Sequence, residues 1–174
     1  SQSEDLLKSK KMLREIIGEI DRKIESAFLD TFQEVNKHFQ SVFSFLFNGG
    51  KAELVLTDPD DLLQTGIEIE VYPDGKKLQK LSLLSGGERA LTALALIFGI
   101  YYTRPSPFYI LDEVEASLDD VNLQRFVSLL DEMKQNTQFL IITHQKRTME
   151  MADCLYGVSM QADGVSKLVS QKMN

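Results

Sequence analysis

Two adjacent carboxylates, Asp112 and Glu113, close the apolar run Phe108-Tyr109-Ile110-Leu111, which has the length of a strand. Open α/β sheets bind ligands at the carboxyl ends of their strands. A hard oxygen there suits Mg²⁺, which keeps several of its waters, so Asp112 is a candidate metal ligand, direct or through water. The neighbouring Glu113 suits a general base that orients and deprotonates an attacking water. Adjacent strand residues point to opposite faces, but the strand ends here, so both can reach one site. Upstream, Leu84-Ser85-Gly86-Gly87-Glu88 precedes an apolar, helix-like segment. A turn without side chains at a helix N-terminus lets backbone amides and the positive end of the helix dipole approach phosphate. His144 directly follows a second apolar run, Phe139 to Thr143, where an imidazole can hydrogen-bond a terminal phosphate or the attacking water. Each feature has a plainer explanation: a carboxylate pair that caps the next helix, a common Ser-Gly-Gly loop, a surface histidine. Together and in this order they point to a nucleotide-driven switch. The chain nevertheless contains no Gly-x-x-x-x-Gly-Lys-Ser/Thr phosphate loop; Gly49-Gly50-Lys51 lacks the first glycine, the spacing and the hydroxyl.

The elements that must position these groups are legible in outline. Residues 4 to 47 contain no proline and one glycine, Gly18. Leu6, Leu13, Ile17, Ile20, Ile24, Ala27, Thr31 and Val35 recur close to heptad spacing. The segment reads as a long helix whose first half is a coiled-coil strand, or else a terminal helix packed on its own domain. Its second half carries Phe28, Phe32, Phe39, Phe43, Phe45 and Phe47, an aromatic set suited to docking on a globular body; His38 there reads as structural. Asn48-Gly49-Gly50 is a helix C-terminal signal. Alternating runs at Ala52–Leu56 and Ile67–Val71, with a turn at Pro73-Asp74-Gly75, predict a small antiparallel sheet. A helix is expected over Gly87 to Tyr102, a buried strand over Phe108 to Leu111, and a helix from an Asp119 or Asp120 cap to about Lys134. A second buried strand over Phe139 to Thr143, a short helix from Gln145 to Ala152 and a hairpin around Ala162-Asp163-Gly164 complete the chain. Strands alternating with helices imply a parallel α/β core.

Composition sets limits. The 174 residues are 43% apolar and 26% charged, ample for a core, and the net charge is −7. Such a chain is no general nucleic-acid binder, so any DNA contact arises from local basic patches or from a partner. Lys8, Lys10, Lys11, Arg14, Arg22 and Lys23 form one such patch, or simply a solvated helix face. The single cysteine, Cys154, excludes an internal disulfide framework and suits a reducing cytosol. One Cys and two His, far apart, form no zinc cluster pattern. The longest apolar run, Ala90 to Tyr102, is too short for a bilayer. Starting at Ser1 without methionine, the chain is expected to be an excerpt of a longer one.

These residues in this order resemble the ABC-type ATPase head, and more narrowly the C-terminal half of a bacterial structural-maintenance-of-chromosomes (SMC) head. Leu84-Ser85-Gly86-Gly87-Glu88 is similar to the signature motif, and Phe108 to Glu113 to Walker B. Ala116-Ser117-Leu118-Asp119 is similar to the D-loop and His144 to the switch histidine. Transporter-type heads usually follow the carboxylate pair with Pro-Thr, where this chain has Val114-Glu115. Pro105-Ser106-Pro107-Phe108-Tyr109, Asp119-Asp120-Val121-Asn122 and Gly157-Val158-Ser159-Met160 also favour SMC; Arg89 stands where lysine is also common. The resemblance implies an α/β fold: residues 1–47 as the coiled-coil arm and neck helix, and residues 48–174 as the C-terminal lobe of the head. It implies an ATPase using ATP and Mg²⁺, active only when the N-terminal half supplies the phosphate loop. Two heads would sandwich two ATP molecules, so that Ser85, Gly86, Gly87 and Glu88 touch nucleotide held by the opposite head and Asp119 bridges the two sites. Asp112, Glu113 and His144 would act on the nucleotide of their own head. Further implied partners are a second SMC head, a kleisin at the neck and distal cap, and DNA, in a cytoplasmic, nucleoid-associated complex without membrane contact. Alternatives are a coiled-coil ABC ATPase of DNA repair, or a non-catalytic fragment that presents the kleisin surface.

Overall fold

The computed structural model describes residues 2–72, 79–160 and 164–173, with the side chains of 2–4, 79 and 80 outside that description. The described chain forms two compact units: residues 1–84 with 92–105, and residues 85–91 with 106–174.

The first unit is built on α1 (Gln2–Leu46), 45 residues without interruption. At 1.5 Å per residue it is roughly 67 Å long. Leu6, Leu13, Ile17, Ile20 and Ile24 of the heptad stripe are exposed. The base of the helix behaves differently: Phe39, Val42, Phe43, Leu46 and Phe47 are buried, and the Phe43 and Phe47 rings stack at 4.0 Å. The helix stops where Asn48 turns into the left-handed region (φ 54°) and the Gly49 amide donates back to Ser44 O at 2.9 Å. That six-to-one bond satisfies an orphan carbonyl of the last turn. β1 (Lys51–Leu56), β2 (Ile67–Tyr72) and β3 (Gln79–Lys80) follow as an antiparallel sheet in that order, with Lys51 opposite Tyr72 and Leu56 opposite Ile67. Asn36 ties α1 to β1. Its Oδ1 accepts from the Leu54 amide at 2.9 Å and its Nδ2 donates to the Leu54 carbonyl at 3.4 Å, as a neighbouring strand would. The 92–105 segment of α2 (Gly86–Thr103) packs on the same helix base. A Cβ on Gly99 would lie 2.9 Å from Phe39 N, so only glycine allows that approach, and His38 stacks on Tyr102 at 5.7 Å. The Pro73-Asp74-Gly75 turn lies outside the described residues.

The second unit holds β4 (Phe108–Asp112) and β5 (Gln138–Ile142), parallel, with Phe108 opposite Gln138 and Asp112 opposite Ile142. They are joined through α3 (Asp120–Met133), which buries Leu123, Phe126, Leu129, Leu130 and Met133. α4 (Lys146–Glu150) leads to a hairpin of β6 (Cys154–Met160) and β7 (Ser166–Lys172), whose tip includes residues outside the description. One expectation needs correcting. Continuous apolar runs predict strands covered on both faces, yet Phe108, Ile110, Leu140 and Ile142 are all more than half exposed. The register places Ile110 beside Leu140, so one face of the two-stranded sheet carries a bare apolar strip. Two strands and one crossover cover a single face. The hairpin likewise exposes Tyr156, Val158, Met160, Leu168 and Val169.

Candidate nucleotide site

All the candidate residues fall within the second unit. They form two groups joined by residues 114–118. The first group sits at the carboxyl ends of the parallel strands. Asp112 is the last residue of β4 and is exposed, a hard carboxylate available to a cation. Glu113 adopts φ 46°, the left-handed region, which costs a non-glycine residue of order 1–3 kcal/mol. Its amide still donates to Ile142 O at 2.9 Å, prolonging the ladder by one bond while the chain turns. The strand alternation that would separate the two carboxylates therefore ends at Glu113, as the sequence suggests. The turned side chain meets His144: Nδ1 lies 3.3 Å from Glu113 Oε1, with both side chains more than half exposed. This geometry leaves Nε2 as the nitrogen not engaged with the carboxylate.

The second group surrounds the start of α2. Ser85 Oγ accepts from the Glu88 amide at 3.3 Å, and Glu88 Oε2 accepts from the Ser85 amide at 2.8 Å. This reciprocal arrangement is a capping box, in which two orphan donors of the first turn are satisfied by side chains. Glu88, assigned above to the nucleotide, has its carboxylate turned back onto the cap. The Ser-x-x-Glu spacing was the signal for it. Gly86 and Gly87 have no positive φ, and a Cβ on Gly86 would meet no atom within 4 Å. A Cβ on Gly87 would make only ordinary contacts, 3.5 Å to Ser117 O and 3.8 Å to Asn122 Nδ2. Neither backbone strain nor the chain's own packing therefore demands glycine at Gly86. Asn122 in turn belongs to the cap of α3: its amide donates to Asp119 Oδ1 at 2.8 Å and its Nδ2 to Asp119 Oδ2 at 3.3 Å. Asp119 is thus a helix N-cap facing solvent, close to the Ser85–Glu88 turn through Asn122.

Sequence reasoning missed a buried acid, paired to a part-buried threonine, between these groups. Glu115 is 1% exposed, and Thr143, immediately before His144, donates its hydroxyl to Glu115 Oε1. Thr143 Oγ1 also accepts from the Gln145 amide at 2.9 Å. A lone Glu between apolar neighbours carries no local signal of burial; only the adjacency of β4 and β5 reveals it.

No group of three or more His, Cys, Asp or Glu side chains that could hold a metal occurs among the described residues. One carboxylate, Asp112, fits Mg²⁺ all the same, because that ion is commonly held by one or two carboxylates together with substrate phosphates and water. No helix among the described residues is long and apolar enough to cross a membrane.

The fold and these motifs define a class. The family described as RecF/RecN/SMC N terminal domain matches residues 2–167, and the chain belongs to the SMC family. Among its relatives is the chromosome partition protein Smc of Bacillus subtilis, 56% identical over 172 residues, which cover 99% of this chain and 14% of that protein. The chain thus spans about one seventh of that relative's length. A solved Smc head domain from Pyrococcus furiosus, with an extended coiled coil and bound to the C-terminal domain of ScpA, superposes with a TM-score of 0.83. It is 42% identical and covers 97% of this chain and 42% of its own. A second solved chain, from work on ATP-driven dimerization and DNA-stimulated activation of SMC ATPases, has a TM-score of 0.79 at 42% identity. That match covers 85% of this chain and 89% of the other. The α/β architecture is therefore that of an SMC ATPase head.

Proposed function

We propose that this chain is the C-terminal half of an SMC ATPase head, with residues 1–47 as its arm and neck and 48–174 as its lobe, and that it works in chromosome condensation and segregation. The observation that carries the reading is the pair of parallel strands that brings Asp112, Glu113 and His144 together in a chain without a phosphate loop. The bare apolar strip on Phe108, Ile110, Leu140 and Ile142 supports a missing half-sheet, since a parallel sheet is normally covered on both faces. The N-terminal half of the same head is the complement that would cover it and bring the phosphate loop.

In the assembled head, ATP lies against the strand ends. Glu113 holds the attacking water and takes its proton. His144, braced at Nδ1 by Glu113, presents its other nitrogen to the γ-phosphate. Asp112 would hold Mg²⁺, directly or through water, and the ion would supply positive charge at the phosphates. Gly86 is open to approach from outside, so the Ser85-Gly86-Gly87 turn meets a phosphate held by a second head, with Glu88 keeping the turn in shape. Asp119 and Asn122 flank that turn, which suits contact between two heads related by two-fold symmetry. ATP binding then joins the heads and hydrolysis parts them. The Pyrococcus furiosus head bound to the C-terminal domain of ScpA supports a kleisin as partner here; we place its contacts at the neck helix and the distal cap. The exposed hairpin face suits such a cap. DNA is held by the complete complex, in the cytoplasm at the nucleoid.

The test mixes this chain with a phosphate-loop half of an SMC head and measures ATP turnover. Turnover in the mixture and none in either half alone is the expected result. Tight association of the halves without turnover would sink the catalytic reading.

A further inference from the structure

Glu115 is a buried acid that the mechanism above leaves unused. One of its oxygens accepts from Thr143, and the other, Oε2, is buried without a hydrogen-bond partner among the described residues. Nature seldom places a carboxylate in such a position by default, because desolvation opposes it unless a specific contact compensates. What the contact holds is informative. Thr143 is gripped from two sides: its hydroxyl donates to Glu115 and accepts from the Gln145 amide. His144 lies between these two pinned residues and reaches Glu113 at 3.3 Å. Beyond the end of β4, Ala116 N donates to Glu113 O at 3.1 Å and Leu118 N donates to Glu115 O at 2.9 Å, so Glu115 is the middle of a stitched turn running from Glu113 to the Asp119 cap. A displacement of that turn would pull on Thr143, and through it on His144.

We infer that Glu115 is a positioning residue: its hydrogen bond to Thr143 sets the His144 imidazole against Glu113 and couples that geometry to the Ala116–Asp119 loop. The inference rests on the proposed ATPase role. It assigns Glu115 no contact with nucleotide. Its effect therefore falls on the chemical step and not on ATP binding.

The experiment uses the full-length protein carrying Thr143→Val, Thr143→Ser, Glu115→Met, and the double variant Glu115→Met with Thr143→Val. Thr143→Val should lower kcat about tenfold, the worth of one orienting hydrogen bond, with KM for ATP changed less than about twofold. Thr143→Ser restores the hydroxyl and should return kcat to near the starting value. Thr143→Val leaves the buried Glu115 carboxylate without its donor and the Gln145 amide without its acceptor; the double variant removes the first of these losses and should melt above Thr143→Val alone. A double variant that melts above Thr143→Val yet stays about tenfold slow establishes positioning. One that recovers kcat along with its melting temperature shows a merely structural pair and overturns the inference, as does a Thr143→Val protein with parental kcat. A parent protein with no ATP turnover at all would instead overturn the proposed function, and the inference with it.

Discussion

At the scale of single residues, most of the proposed chemistry depends on a turn of one residue. Had β4 continued regularly, Glu113 would point away from Asp112 and from His144. The left-handed φ at Glu113 ends that alternation and its carboxylate meets His144, at a cost that the amide's bond to Ile142 O helps offset. The Glu113 carboxylate is solvent-accessible and lies within hydrogen-bond reach of one imidazole nitrogen, the placement expected for a base acting on water. Glu113→Gln keeps size and the contact to His144 but cannot take a proton. In the full-length protein it should leave ATP binding intact and slow hydrolysis by roughly 100-fold or more, the usual worth of a general base, while ATP-bound head dimers accumulate. Normal hydrolysis by that variant would remove Glu113 from the role of base.

At the scale of elements, the first unit relies on a close helix approach. Gly99 lets α2 come so near α1 that an added Cβ would sit 2.9 Å from the backbone nitrogen and 3.0 Å from the Cα of Phe39. Those are backbone atoms, which cannot swing aside as a side chain can. Gly99→Ala gains about 1 kcal/mol of helix propensity but forces the two helices apart, and overpacking typically costs 1–3 kcal/mol. A net destabilisation of up to about 2 kcal/mol is expected, read as a lower urea midpoint at unchanged slope. An equal or higher midpoint would mean that the helices yield without loss. Nearby, Asn36 uses both ends of its amide on Leu54, so α1 is fastened to β1 by polar bonds as well as by the stacked phenylalanines. Farther out, the leucines and isoleucines of the heptad stripe are exposed, as the proposed coiled-coil arm requires of a face that another helix would cover.

At the scale of the whole molecule, the proposed function makes the chain half of a device twice over. Among the described residues its parallel sheet has two strands and a bare apolar face, and its Ser85–Glu88 turn, capped and open, meets nothing in its own unit that calls for glycine at Gly86. If that turn reads the γ-phosphate of a neighbouring head, a bulky cation at its first position should act only between heads. Ser85→Arg is expected to spare ATP binding by a single head, to block ATP-dependent dimerisation in sedimentation, and to abolish turnover with it. Loss of nucleotide binding by the isolated head would argue instead that the turn serves its own site.

Local chemistry alone determined a good part of this protein. The Asp112-Glu113 strand end, the Ser85-Gly86-Gly87 turn opening α2, the Asp119 cap and the Asn48-Gly49 stop are each written in short stretches of chain, because caps, turns and strand ends are satisfied by neighbours a few residues away. The heptad stripe and the two apolar runs were equally legible, since periodicity encodes which face is apolar. It does not encode what covers that face: runs expected to be buried on both sides are bare on one. Tertiary structure alone decided that His144 meets Glu113 across 31 positions, that Glu115 is buried against Thr143, and that Gly99 lies on Phe39. Each of those contacts joins segments far apart in the chain, where no local preference acts, and each exists only because the parallel pairing of β4 with β5, or the packing of α2 on α1, brings the segments together.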